Sequence, residues 1–273
     1  MGLKRVRDGV EPGSTGAKQN QGVRTETCAD LYGGKPRGTK GSGLMTYPSG
    51  AEPLGAGPTP SAGAPVALVT DCACGVGAAV ARRLAAEGMR VVVNCAPGRR
   101  AAERLARRLP GSMWRTADVS VREEAEGLVA AVVARYGRLD VLVNSAGAVR
   151  RERAADAEVL REVFDVNVLG TWQMCVAAMP YLRAGGDGCV VNVATVTEED
   201  PADGSVPYAV SRTALNNITR MLAALTGSEV RVHAVASGPT DSADPSAPER
   251  VAEAVLAMVR THRPTGQALT GRA

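Results

Sequence analysis

From residue 66 onward, short β-branched apolar runs alternate with segments whose apolar residues recur every three or four positions. Val66–Val69 predicts a buried strand. Val76, Val80 and Leu84 then stand at helical spacing, with Gly88 where a helix stops. Val91-Val92-Val93 predicts a second strand. The alternation continues through a helix over 100–109, a strand over 113–115, a helix over 121–136 and a strand over 141–143. In the 121–136 helix Leu128, Val129, Val132 and Val133 share a face. One long helix over 159–181 follows, then a strand over 189–193, a helix over 208–225, a strand over 230–235 and a helix over 248–260. Strands alternating with helices, without internal repeats, predict an α/β fold: a doubly wound parallel sheet covered on both faces. Residues 1–60 break the pattern, with 13 Gly, 6 Pro and only seven Leu, Val, Ile or Phe. Such a segment buries too little apolar surface to offset its ordering entropy. The expectation is a disordered Gly/Pro-rich leader over 1–60 and a single domain over 61–273. Met45 is an alternative start.

The first strand, turn, helix and second strand form a βαβ unit within thirty residues. Its turn, Asp71 to Gly77, carries Gly75 and Gly77. Glycines there let the backbone approach a pyrophosphate, and the N–H groups that open the helix face its charge. Composition narrows the partners. Residues 1–60 carry 8 Lys+Arg against 5 Asp+Glu, and the remaining 213 carry 24 against 23. The domain is therefore near neutral and lacks an electrostatic footprint for nucleic acid. One Phe, two Trp and five Tyr also leave few stacking platforms for single strands. Six scattered cysteines, without zinc-site spacing, read as small hydrophobes in a reduced, cytoplasmic protein. Cys72 and Cys74 in the turn read as small space-filling side chains. No apolar run reaches membrane-spanning length, and MGLKRVRDG lacks the apolar stretch of a secretory signal and the Ser or Thr of a myristoylation site.

Six motifs in order then resemble the short-chain dehydrogenase/reductase family over about residues 64–270. Thr70-Asp71-Cys72-Ala73-Cys74-Gly75-Val76-Gly77 resembles its TGxxxGxG turn, with Asp71 in place of the first Gly. Asp118-Val119 resembles the pair that touches adenine, and Asn144-Ser145-Ala146-Gly147 resembles NNAG. Asn167 in FDVNVLGTW matches the helix residue implied to hold a proton-relay water. Tyr208-Ala-Val-Ser-Arg212 resembles the catalytic YxxxK, with Arg212 for Lys, and Thr195 stands where the family places its catalytic Ser. Ser237-Gly238 stands in for the Pro-Gly after the sixth strand, and Thr265-Gly266-Gln267 resembles the start of the last strand. The resemblance implies a Rossmann fold and an NAD(P)(H)-dependent oxidoreductase interconverting a ketone and a secondary alcohol. Its implied catalytic residues are Asn167, Thr195, Tyr208 and Arg212. Thr70, Asp71, Gly75, Val76, Gly77, Arg99, Asp118, Val119, Asn144, Ala146, Gly147 and Gly238 would line the cofactor, and no metal is implied.

The chemistry is intelligible residue by residue. Tyr208 and Arg212 stand four apart and share a helix face. A phenol with a pKa of ~10 serves as an acid–base group near neutrality only beside a cation. Arg212 supplies one, and Thr195 offers a hydroxyl to a substrate carbonyl. A guanidinium, however, does not pass a proton along a water chain. No Lys occurs after residue 40, so Arg212 reads as compositional drift and Arg212→Lys is expected to raise turnover. Two other readings share the fold: a cofactor-binding pseudoenzyme or scaffold subunit, and a non-redox dehydratase or cyclase. The second strand is followed by Arg99 and Arg100, and no acidic residue lies between Val91 and Ala102, which predicts NADP over NAD. Only nine residues, 239–247, separate Gly238 from Pro248, so the substrate site is expected to be open or built for a partner. His233 alternates with valines and reads as structural, and His262 as exposed. The family implies a homo-oligomer, here a dimer, on the helices at 159–181 and 208–225, acting on a small-molecule carbonyl or alcohol.

Overall fold

The computed structural model describes residues 63–72, 75–96, 101–148, 157–195, 206–237, 246–261 and 268–270. The leader, Arg99, Gly238, most of the segment after it, His262 and Thr265-Gly266-Gln267 lie outside the described residues.

Among the described residues, seven strands form one parallel sheet: β1 (Val66–Val69), β2 (Arg90–Cys95), β3 (Met113–Thr116), β4 (Val141–Asn144), β5 (Gly188–Thr195), β6 (Val230–Ser237) and β7 (Ala268–Thr270). Their spatial order is β3-β2-β1-β4-β5-β6-β7, so the chain reverses its direction of travel between β1 and β4. The helices are α1 (Gly75–Ala86), α2 (Ala101–Ala106), α3 (Arg122–Tyr136), α4 (Ala157–Phe164), α5 (Thr171–Ala184), α6 (Val206–Thr226) and α7 (Ala247–Arg260).

The central strands are apolar on both sides because the sheet is covered on both. Ala67, Val69, Val91, Val93, Val191 and Val235 pack against α1, α2 and α7. Their neighbours Val66, Leu68, Val92, Leu142, Val190 and Val232 pack against α3, α5 and α6. Two separate cores thus share one sheet, as continuous Val/Leu runs require. Of the face read on α3, Leu128, Val129 and Val132 are buried, whereas Val133 is only partly covered.

The predicted single helix over 159–181 differs from what is found. A turn of π-helix, Asp165–Gly170, separates α4 from α5. One extra residue per turn rotates the helix face. That rotation carries Asn167 inward to full burial, while Leu169 stays exposed. Gly170 closes the π turn against the segment after β3: a Cβ there would lie 2.9 Å from Val119 Cγ2 and 3.3 Å from the Val119 backbone. No side chain fits at that contact without displacing backbone.

Candidate active site

In an open parallel sheet, the crevice beyond the strand ends at the reversal of strand order is where ligands bind. Here that point lies past β1 and β4. Thr70 follows β1; its N–H donates to Val143 O at 3.0 Å. Its hydroxyl oxygen accepts from the N–H groups of Ser145 and Ala146, both at 3.0 Å. Thr70 therefore clamps the loop after β4 to the loop after β1.

The turn after β1 is built for close approach. Asp71 has φ +51°, the left-handed region, which Asp tolerates better than most residues. Gly75 has φ +56°, and nothing lies within 4 Å of where its Cβ would stand. A Cβ on Gly77 would overlap Asp71 O, so α1 presses directly on the turn. The first turn of α1 carries no acidic residue. A twelve-residue helix without a carboxylate in its first turn suits a pyrophosphate. These residues fit a dinucleotide. Val76 is partly buried against the α1 side of the sheet. Cys72 is fully buried, donates its thiol to Val69 O at 3.1 Å, and burial pushes that thiol well above its ordinary pKa. It is an inert filler; Cys74 lies outside the described residues.

A row of buried polar side chains follows the strand ends. Asn94 on β2 donates to Ala117 O at 3.1 Å and Arg115 O at 3.2 Å, while its own backbone O accepts from Cys72 N–H at 2.8 Å. Asn144 on β4 donates to Asn192 Oδ1 at 2.9 Å, and Asn192, directly across on β5, donates to Thr219 Oγ1 at 2.8 Å. Asp118 accepts from the N–H and hydroxyl of Ser120 at 2.9 and 2.6 Å, shaping the turn into α3. Its neighbour Val119 is the residue against which Gly170 packs.

The remaining predicted residues converge from three elements. Asn167 Oδ1 accepts from Ala148 N–H at 2.7 Å. Its Nδ2 donates to Ala148 O at 3.2 Å and to Ser211 Oγ at 2.9 Å. The Ser211 hydroxyl donates to Tyr208 O at 2.7 Å. A continuous chain thus runs from the loop after β4, through the π turn, to the first turn of α6. The Asn167 backbone carbonyl accepts the Thr171 hydroxyl at 3.0 Å. Tyr208 is half-buried. Arg212 is only 7% exposed; its Nη1 donates to Val193 O at 3.0 Å. Its Cζ lies 4.8 Å from the Tyr208 ring centroid, a cation–π contact. The backbone of Thr195 ends β5 level with Ser237, while the Thr195 side chain and Gly238 lie outside the described residues.

Sequence reading passed over Ser211, Asn192 and Thr171. Asn192 carried a signal, an amide inside the apolar run Cys189–Val193, and Ser211 lay inside the Tyr208–Arg212 motif, one helical turn after the tyrosine.

A family model described as short chain dehydrogenase matches residues 65–251. A Streptomyces violaceoruber protein named as ketoacyl reductase 2 of the granaticin polyketide synthase is 46% identical over 233 residues, covering 76% of this chain and 94% of that protein. L-fucose dehydrogenase of Oryctolagus cuniculus is 34% identical over 178 residues, covering 63% of this chain and 62% of that protein. Among solved structures, a chain assigned as a short-chain dehydrogenase/reductase from Burkholderia xenovorans superposes with a TM-score of 0.70 at 29% identity, covering 76% of this chain and 96% of that one.

Proposed function

The chain belongs to the short-chain dehydrogenase family of oxidoreductases, and on that premise we propose that it is an NADP(H)-dependent ketoreductase. Its substrate is a small molecule with a ketone in a ketoacyl or polyketide-like setting. The single observation that carries the reading is the meeting of Tyr208 with a buried Arg212 cation beside the crevice, in a chain 46% identical to a protein named as a ketoacyl reductase.

The nicotinamide, when bound, supplies the hydride. Every other task falls to this chain. The turn from Thr70 and Asp71 through Gly75, Val76 and Gly77 would hold the pyrophosphate. Asp118 and Val119 would hold the adenine. Asn144, Ala146 and Gly147, together with Gly238, would hold the nicotinamide half. Thr195 donates to the substrate carbonyl, and Tyr208 delivers the proton from its hydroxyl. Arg212 keeps its own proton, so Tyr208 is recharged from water rather than from the guanidinium. Asn167, whose amide is engaged at both ends, holds the loop after β4 against α6.

NADP is favoured because β2 ends in Asn94-Cys95 without a carboxylate for the 2′-hydroxyl. The Asn94 amide is also turned toward Ala117 and Arg115. Arg99 would pair with a 2′-phosphate. A homodimer is supported by exposed apolar residues on two helices: Trp172 and Val176 on α5, and Val206, Val210, Met221 and Leu225 on α6. Four buried free thiols, Cys72, Cys95, Cys175 and Cys189, support a reducing compartment such as the cytoplasm. Among the described residues no helix is long and apolar enough to cross a membrane.

The test is NADPH oxidation followed with a panel of ketoacyl thioesters and cyclic ketones. Turnover is expected for wild type, and its loss with retained NADPH binding for Tyr208→Phe. Bound NADPH without turnover of any ketone would favour the pseudoenzyme reading, which rests on the guanidinium at position 212. A monomer by light scattering at micromolar concentration would refute the dimer.

A further inference from the structure

Gly147 and Arg212 come from different parts of the fold, the loop after β4 and the middle of the second turn of α6. They occupy one another's space. A Cβ built on Gly147 would collide with Arg212 Nη2 and lie 3.3 Å from Cζ, with Asn167 Oδ1 a further 0.4 Å out at 3.7 Å. The guanidinium therefore fills the room that the missing side chain leaves. Two more contacts hold it, while its buried Nε has no hydrogen-bond partner among the described residues. Nη1 donates to Val193 O at 3.0 Å, on the strand that ends at Thr195. The Arg212 Cζ stands over the Tyr208 ring, 4.8 Å from the centroid.

We propose that Gly147, the Val193 carbonyl and the Tyr208 ring form a seat specific for a guanidinium, which makes Arg212 a positioning residue for Tyr208 that lysine does not replace. The inference rests on the ketoreductase reading for Tyr208 and goes beyond it. The physical reason is shape. A planar fork presents one nitrogen to Val193 O and a second to the gap at Gly147 while its central carbon stays over the ring, all at once. An ammonium is a point donor. It reaches the Val193 carbonyl or the gap, and not both. Burial sharpens the difference, because a cation that is 7% exposed draws little help from water. The seat also reverses the expectation that Arg212 is drift. A drifted arginine would be held by contacts indifferent to its shape, whereas bonding Val193 O and filling the space at Gly147 together take two nitrogens of one fork.

The test is a double-mutant cycle with Gly147→Ala, Arg212→Lys and the double variant in the full chain. It is read by thermal unfolding without cofactor, NADPH affinity by fluorescence, and steady-state kinetics. In the arginine background Gly147→Ala should lower the unfolding temperature by about 5 °C, the effect of overpacking a buried contact in a domain of this size. In the lysine background, where the fork is gone, the same change should cost less than half as much. Arg212→Lys alone should lower kcat about tenfold, while KM for the ketone and Kd for NADPH stay within about threefold. Additive losses in unfolding temperature would overturn the seat. An unchanged or raised kcat for Arg212→Lys would overturn the positioning role. If Gly147→Ala does not fold, the double variant decides: folded protein supports the seat, and equal failure refutes it. A wild type that binds NADPH but turns over no ketone removes the ketoreductase reading and the positioning role with it. The seat is then still judged by the unfolding cycle.

Discussion

Asn167→Asp changes one nitrogen to oxygen in a fully buried side chain, so it tests the network without opening a cavity. Asn167 now donates twice, to Ala148 O at 3.2 Å and Ser211 Oγ at 2.9 Å, and accepts once, from Ala148 N–H at 2.7 Å. A protonated Asp keeps the acceptor and one donor, so the neutral variant loses a single hydrogen bond, about 1 kcal/mol. Ionised, it faces Ala148 O as acceptor against acceptor, and its charge is out of water. The folded pKa is therefore expected above the unfolded value of ~3.9. For an acid shifted that way the folded state holds more protons between the two values, so the stability present below about pH 4 is lost as pH rises through the folded pKa. Full burial raises a carboxyl by about 3–5 units, which puts the folded pKa at about 7 or above, so the loss is about 1.4 kcal/mol per pH unit, or about 2.7 kcal/mol between pH 5 and pH 7. With a urea m-value of about 2.5 kcal/mol/M, the gap between the variant and wild-type midpoints should widen by about 1 M over that range. Far-UV circular dichroism in urea at the two pH values measures it, and wild type cancels every titration the two proteins share. A gap that is the same at pH 5 and pH 7 would show that the Asn167 amide is not the buried donor described, and the link from the loop after β4 to α6 would fall with it.

Other consequences can be checked directly. Gly170→Ala should cost about 1–3 kcal/mol in a urea titration, because its Cβ meets Val119 Cγ2 at 2.9 Å with backbone close behind; a neutral result would mean the π turn has slack. His233 is fully buried with neither ring nitrogen hydrogen-bonded, and burial followed by Arg231 lowers its pKa. Its neutral form is kept in the folded state, so the stability complete above about pH 6.5 is lost as pH falls toward the lowered value. His233→Leu should flatten that acid slope, and an unaltered slope would contradict it. Asp71 at φ +51° should accept Gly within about 1 kcal/mol but lose about 1–2 kcal/mol to Val, as read by unfolding temperature. Deleting residues 1–60 should leave the unfolding midpoint unchanged, since among the described residues both cores start from β1 onward; a fall of several degrees would place part of that segment in the fold.

The order and type of the elements were legible in the chain itself. A parallel strand buried on both faces must be apolar at consecutive positions, so Val66–Val69, Val91–Val93 and Val141–Val143 announce themselves. The spacing of Tyr208 and Arg212 likewise places both on one helix face by local geometry alone. Periodicity carries no information about contacts between distant segments, and there the tertiary structure decided. The apolar pattern over 159–181 suits one α-helix, yet the π turn at Asp165–Gly170 is held by partners from the loop after β4, from Val119 and from Ser211. Arg212 has the composition of a surface residue in an arginine-rich chain. Its burial brings it against Gly147 and Val193, sixty-five and nineteen positions away in sequence, which meet it only once β4, β5 and α6 have packed. Local preference determined which segments are strand or helix, because each residue's backbone and nearest neighbours set that choice. Long-range packing determined which polar groups face one another in the crevice, because only the closed sheet brings them within hydrogen-bonding distance.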